Sequence, residues 1–385
     1  MRRSDFGFII KLFLSWRGLL FAFAFLATLI IPNFGNRFPY ADRVLITTGL
    51  PSWIWGFGNF DGVHYLRLAQ NGYTADYTQA FFPLYSLFIR LFNFFPKNQL
   101  LDPRFYTDPS YFASGMILSA VFFVAALFFL YKLLVKEYDR KIAKLSLLLL
   151  LSFPTAFYFG AVYSESLLLL LAVLTFWFAS RDRFLLAGVM AALASATKIQ
   201  GILLFVFLIA ELFEKKKISL NKILGAAMAP LGLVFYTLFL KRTTGDFFYF
   251  LASQPAFGAT RSSFPFVLLP QVIYRYVKIF LTVSSTSLAF ATAALEFSIT
   301  GALIVILIAA FKKMKFSYWL FSALAVLLPT LTGTLSSMPR YSLLAFMVLP
   351  YLAARYKKKI KYIVIVQSAL QIILLSFFIR GYWVA

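Results

Sequence analysis

The chain has 385 residues, of which 61% are hydrophobic and 13% charged, with 37 Lys and Arg against 14 Asp and Glu. Soluble domains carry about 45–50% apolar and about 25% charged residues, so this balance, with a mean hydropathy of +0.82, excludes a soluble enzyme and a disordered chain. The absence of Cys excludes disulfides and thiolate chemistry, and one His excludes a multi-histidine metal centre.

Apolar runs separated by charged punctuation predict eleven membrane spans, at 18–34, 110–134, 145–161, 163–180, 184–197, 199–213, 222–241, 288–311, 316–332, 341–355 and 362–379. The segment DFGFIIKLFLSW (5–16) reads as an interfacial helix on the inner leaflet. The run behind it, with no small-residue cleavage site, reads as a signal anchor. Spans 184–197 and 199–213 are too short to stand upright, and read as two half-length helices meeting at a break. With the N-terminus inside and the C-terminus outside, 23 of the 37 basic residues fall on the inner side. The net charge of +23 is then topology information, not a nucleic-acid footprint.

The chain therefore reads as one all-α transmembrane domain over 1–385 with two long outer segments. The first, 35–109, contains the aromatic run FFPLYSLFIRLFNFF (81–95), expected as a juxtamembrane helix. The second, 242–287, is expected as in-plane helix plus loop.

Charges beside span ends are costly and mark candidate chemistry. These are Asp61, His64, Arg67, Glu165, Lys198, Asp246, Glu296 and Arg340. In NFDGVHYLRLAQNGY (59–73) a helix beginning near Gly62 would place Asp61, His64 and Tyr65 on one face. Asp61 is then a base or metal ligand, or, with Asn59, a simple helix cap. Lys198, at the break in SATKIQG, suits a phosphate or snorkels to the interface. Arg340, in SSMPRY, has the fork geometry for a phosphate. Glu165 opens a span as a cap or a hydroxyl contact. Asp61 with Asp76 or Asp246 offers a site for a divalent cation such as Mg or Mn. No Walker lysine motif, GxGxxG, HExxH or GxSxG is present.

FDGVHYLRLAQNGY (60–73), AFFPLYSLFIR (80–90), YSESLLLLL (163–171), ATKIQG (196–201), TGDFFYFLASQPAFG (244–258), MPRYSLLAF (338–346) and RGYWVA (380–385) together resemble the GPI mannosyltransferase 2 (PIG-V-type) family and its prokaryotic relatives, of the GT-C class. The chain departs from the family pattern at Phe60, Ser86, Ile199-Gln200-Gly201 and Phe257-Gly258-Ala259, with Arg261 following. The resemblance implies an inverting transferase that moves a hexose, mannose by precedent, from a polyprenyl-phosphate donor to a lipid, glycan or protein acceptor on the outer face of a cell membrane; the absence of Cys and the compact loops point to a prokaryote. Carried over by motif, Asp61 is the catalytic residue. His64, Arg67, Tyr163, Glu165, Lys198, Gln254, Arg340 and Tyr341 are then substrate-binding. The competing class is a lipid or lipid-linked sugar flippase, which a helix break at Lys198 would also suit.

Overall fold

The computed structural model describes residues 3–35, 41–95, 106–216, 218–257 and 266–384; the Gly258–Arg261 segment singled out above lies outside them. The described residues are all-α, with a single isolated bridge, Val267 to Thr332, and no strand. Helices of eight or more residues are labelled in chain order: α1 (Arg3–Ile30), α2 (Asp61–Asn71), α3 (Pro83–Leu91), α4 (Pro109–Glu137), α5 (Arg140–Ser152), α6 (Glu165–Ala179), α7 (Phe184–Thr197), α8 (Leu203–Lys215), α9 (Leu220–Met228), α10 (Leu231–Thr244), α11 (Leu269–Thr282), α12 (Leu288–Ala310), α13 (Phe316–Leu327), α14 (Val348–Arg355) and α15 (Ile360–Ile379).

Local signals fix many helix ends. Asp108 accepts from the Ser110 N–H at 2.8 Å, with Pro109 as the first residue of α4. Asp139 accepts from the Ile142 N–H at 2.7 Å to open α5, and Ser287 caps α12 through the Phe290 N–H at 3.2 Å. Pro83 opens α3, which covers only 83–91 of the expected 81–95 helix.

Three expectations are corrected. The interfacial helix and first span are one 28-residue helix, α1, which stops at Ile30 rather than residue 34. Arg17 does not interrupt it, because its guanidinium donates to the Gly160 carbonyl at 2.5 Å and lies over the Phe21 ring at 4.3 Å. Residues 145–161 are not one continuous helix: α5 ends before Phe153-Pro154, where the proline disfavours helix in the preceding residue, and a 3₁₀ turn over Ala156–Gly160 follows. Residues 341–355 are likewise a helical turn at Met338–Tyr341, a 3₁₀ turn and the eight-residue α14.

By length and composition, α1, α4, α12 and α15 can each cross a membrane, and α9 with α10, bent by 40°, is either a fifth, broken span or a re-entrant loop. These helices match the predicted spans 18–34, 110–134, 222–241, 288–311 and 362–379. The long helices expose apolar side chains, among them Leu29, Ile30, Val305, Ile308, Val366 and Ile373, as a lipid-facing surface requires. The shorter α6, by contrast, is apolar because it is enclosed: Leu167, Leu169, Ala172, Val173 and Phe176 are all buried. α6 packs between α4 and α7, and α7 in turn packs on α9 and α10. The α7–α9 crossing is close enough that a Cβ on Gly188 would meet the Gly225 carbonyl at 2.0 Å.

Candidate active site

The irregular backbone collects where the long-range contacts do. The hinge between α5 and α6 is buried from Pro154 to Ser164, as non-helical backbone inside a membrane protein must be. Its Val162 N–H donates to the Phe57 carbonyl at 3.0 Å and the Tyr163 hydroxyl donates to the Asn59 carbonyl at 2.7 Å. These bonds fix the hinge to the segment that begins α2. Phe60, just ahead of Asp61, has φ 57° and ψ −117°, a conformation costly for a non-glycine residue. It is held by ring contacts to Phe378 and Trp383.

Neither Asn59 nor Asp61 caps α2. The Asn59 amide instead donates to the Phe378 and Ile379 carbonyls at 2.8 and 3.1 Å. Asp61 Oδ2 accepts from Arg340 Nη1 at 2.6 Å. Arg340 Nε faces Glu165 Oε1 at 3.6 Å, and Lys198 Nζ donates to the same oxygen at 2.6 Å. Four residues from four parts of the chain thus form one chain of alternating charge. Arg340 and Glu165 are 3% and 5% exposed at their side chains, Lys198 16% and Asp61 23%, so the cluster opens on the Asp61 and Lys198 sides. Lys198 does not snorkel, and Glu165 makes no cap.

An aromatic cage surrounds the guanidinium. Its carbon lies 5.3 Å from the ring of Tyr158, 5.5 Å from Tyr163 and from Tyr341, and 5.9 Å from Trp383. Lys198 Nζ sits 5.0 Å from the Tyr341 ring. Lys198 reaches the cluster because α7 stops there and a 3₁₀ turn, Ile199–Ile202, follows. Gly201 permits that turn, since a Cβ would meet the Ala194 backbone at 2.2 Å. A small cavity of about 20 Å³ lies against Glu165, Lys198, Gln200, Arg340 and Tyr341. Glu165 Oε2, Gln200 Oε1 and Arg340 Nε are buried there without hydrogen-bond partners. Orphaned polar atoms in a native interior call for an explanation such as a ligand group.

Burial alone would raise the Asp61 carboxyl. The Arg340 guanidinium and the Lys198 ammonium outweigh it and hold the group below the usual carboxylate range. Burial pushes the His64 imidazole down to about 4, against the pull of the Asp61 charge and with the push of Arg67. His64 stacks on Phe81 at 4.7 Å and meets Phe257 edge-on at 5.1 Å. Phe257 ends the 3₁₀ turn that begins at Gln254, and this ring contact links that turn to α2.

Asp61, like Glu165, is engaged by a cationic side chain. Its Oδ2 is taken by a guanidinium, and the carboxylate that shares this guanidinium, Glu165, is bound to Lys198. Asp76 and Asp246 are exposed, and Asp246 spends an oxygen on the Phe248 N–H at 2.8 Å. Among the described residues no three His, Cys, Asp or Glu side chains group to hold a metal.

Sequence reasoning selected Asp61, Tyr163, Glu165, Lys198, Arg340 and Tyr341, which the fold gathers. It did not select Tyr158 or Gln200. Tyr158 lies in the uniformly apolar AFYFG, which carries no signal; Gln200 stood inside the ATKIQG motif. Trp383 stood in the terminal RGYWVA motif without a role.

A larger cavity, of about 830 Å³, lies between α2, α3, α7, α9 and α10. Leu68, Leu193, Ala196, Phe235, Tyr236 and Phe239 are among its mostly apolar lining. Ala196 stands two residues before Lys198, and Leu68 two turns along α2 from Asp61, on the same face.

A family model described as mannosyltransferase (PIG-V) matches residues 8–354. The GPI mannosyltransferase 2 of Drosophila pseudoobscura pseudoobscura is 26% identical over 136 residues, covering 35% of this chain and 28% of that protein. Among solved structures, the Archaeoglobus fulgidus oligosaccharyltransferase in its apo form aligns with a TM-score of 0.47 and 14% identity, over 97% of this chain and 56% of its own. Its complex with zinc and sulfate aligns with a TM-score of 0.40 and 10% identity, over 96% and 53%. The chain thus spans about half the length of the archaeal protein, and its match covers about a quarter of the fly protein.

Proposed function

The chain belongs to the mannosyltransferase (PIG-V) family, and from that premise we propose that it moves mannose from a polyprenyl-phosphate carrier to an acceptor hydroxyl on the outer face of the membrane. The observation that carries the reading is the Asp61–Arg340–Glu165–Lys198 cluster, with an apolar cavity lined by Leu68 of the helix that Asp61 opens and Ala196 of the helix that ends at Lys198. A sugar phosphodiester with a long apolar tail needs this combination: fixed cations for the phosphate, a carboxylate for the incoming hydroxyl, and a dry groove. A flippase reading would have suited charges dispersed along a path rather than one compact cluster.

The reaction is a single displacement with inversion. The acceptor oxygen attacks the anomeric carbon, the bond from that carbon to the phosphate oxygen breaks, and the phosphate leaves with the electron pair. Asp61 takes the hydroxyl proton. Arg340 and Lys198 receive the charge that grows on the phosphate, in a buried site where such contacts are strong.

The resting ion pair makes Asp61 a weak base, because Arg340 depresses its carboxyl. An arriving phosphate competes for the guanidinium. As Arg340 turns toward it, the Asp61 carboxyl rises and becomes a better proton acceptor. Glu165 keeps Arg340 and Lys198 in place between turnovers. Tyr341, Arg67 and Gln254 are the proposed contacts of sugar and acceptor, and neutral His64 offers them a ring nitrogen, while enclosed Tyr163 holds the hinge to α2. The acceptor is a lipid, glycan or protein hydroxyl, and no step in this scheme uses a metal.

The test is transfer by purified protein in liposomes from radiolabelled polyprenyl-phosphate-mannose to a lipid extract of the host, with Asp61→Asn alongside. General-base catalysis contributes roughly 10²–10⁴-fold, so a well-folded Asp61→Asn should lose at least about 100-fold. Equal transfer by both proteins would remove Asp61 as the base.

A further inference from the structure

We propose that Glu296 and Tyr276 are positioning residues for Arg340, clamping the loop that delivers its guanidinium to Asp61. The inference rests on the phosphate-binding role given to Arg340 above.

Glu296 is the single ionisable side chain in the otherwise apolar α12 (LAFATAALEFSITGALIVILIAA), and it is buried. Packing does not require a carboxylate there; an apolar side chain would fill the space without the cost of burying charge. Its oxygens are spent on the loop. Oε2 accepts from the Tyr276 hydroxyl of α11, and Oε1 accepts from the Ser337 N–H at 3.3 Å. The Tyr276 hydroxyl in turn accepts from the Leu335 N–H at 3.1 Å. One residue earlier on α11, Arg275 Nη1 donates to the Gly333 carbonyl at 2.8 Å, and the Val267 N–H donates to the Leu331 carbonyl at 3.0 Å. Alternate residues of the segment 331–337 are thus each held by the region 267–296.

The last of these anchors matters most for the site. Ser337 has φ 68°, a left-handed conformation that a non-glycine residue keeps only where its surroundings over-determine it. It opens the Met338–Tyr341 turn: its carbonyl accepts from the Arg340 N–H at 3.0 Å, and its hydroxyl faces Arg340 Nη2 at 3.5 Å. Glu296 therefore grips the residue whose backbone sets the direction of Arg340. Without the clamp Ser337 relaxes toward the right-handed region, and the guanidinium leaves its line between Asp61 and Glu165.

The test uses full-length protein carrying Tyr276→Phe, which removes only a hydroxyl, and Glu296→Gln, which keeps shape and one acceptor. Hydrogen exchange of peptides covering 333–341 is read together with transfer kinetics, each also in an Arg340→Lys background. Loss of one such hydrogen bond corresponds to about tenfold. The amides of Leu335 and Ser337 should exchange about that much faster, and kcat/KM for polyprenyl-phosphate-mannose should fall by a similar factor. In the Arg340→Lys background the same substitutions should cost nothing further, because their effect passes through Arg340. Unchanged loop exchange, a loosened loop with unchanged transfer, or losses that add to that of Arg340→Lys would each overturn the proposal. If wild type transfers nothing from this donor, the donor reading fails by itself, and the exchange of 333–341 still decides whether the clamp exists.

Discussion

Arg340 and Asp61, 279 residues apart in the chain, share an ion pair of 2.6 Å in which the guanidinium is almost wholly enclosed and the carboxylate reaches the open side. This asymmetry means that removing the cation is worse than removing the anion. Arg340→Ala leaves Asp61 and Glu165 facing each other with only Lys198 to balance them. Breaking a buried pair costs about 3–5 kcal/mol, less where one partner is partly solvated. Arg340→Ala should therefore lower the melting temperature in detergent as well as transfer, whereas Asp61→Asn, which keeps an oxygen for Nη1, should lower transfer alone. A stable Arg340→Ala protein with full transfer would dissolve the assigned roles.

Lys198 and Glu165 are coupled by their 2.6 Å contact, and a double-mutant cycle separates their parts. Lys198→Met should raise the donor KM by about tenfold or more, the value of one charge-assisted contact. Glu165→Gln should have a smaller effect, because Arg340 retains Asp61. The double variant should lose less than the two single losses together, since neither charge is then stranded. Strict additivity would show that Lys198 and Glu165 act at separate points.

The pH dependence of stability follows from α2. The His64 imidazole titrates near 4 in the folded protein and near 6.5 when unfolded. Between these values the unfolded chain binds the extra proton, so stability is full above about pH 6.5 and drains as pH falls toward 4. Asp61 also titrates below its unfolded value, and its contribution is lost only at still lower pH. Melting curves from pH 7 to pH 4 should slope downward in wild type and flatten over that window in His64→Gln. An unchanged slope would place His64 in an ordinary, solvated environment.

What the sequence showed was the cost of charge. Asp61, Glu165, Lys198 and Arg340 stand out because ionisable groups beside apolar runs must be compensated, and compensation by one another was the economical solution. Their meeting was not legible: it depends on Asn59 reaching the end of α15, on Val162 bonding to Phe57, and on the left-handed Ser337, none of which has a local signature. Which apolar helices face lipid was not legible for a related reason. Leu167 and Val173 of α6 are as apolar as Ile365 and Val366 of α15, yet the first pair faces protein and the second is exposed, and hydropathy records only the absence of water. Pro154 was the visible sign that 145–161 would not run straight, and Tyr158 entered the site from within that misread run.

The cavity beside Lys198 makes the last prediction. In the proposed reaction the donor phosphate sits at Lys198 and its isoprenoid chain must leave the site through apolar surroundings. The 830 Å³ space begins at Ala196, one residue inside the end of α7, and continues past Leu193 toward Phe235 and Phe239. Ala196→Phe puts a ring into its near end without touching the charged cluster. A long-chain polyprenyl-phosphate-mannose should then bind about tenfold more weakly, which corresponds to about 1.4 kcal/mol, while a two-isoprene analogue, too short to pass the ring, should be used as before. Filling an apolar cavity should leave the melting temperature unchanged or raise it. Equal loss with both donors would mean that the ring disturbs Lys198 itself, and no loss with either would send the donor chain along another face of the molecule.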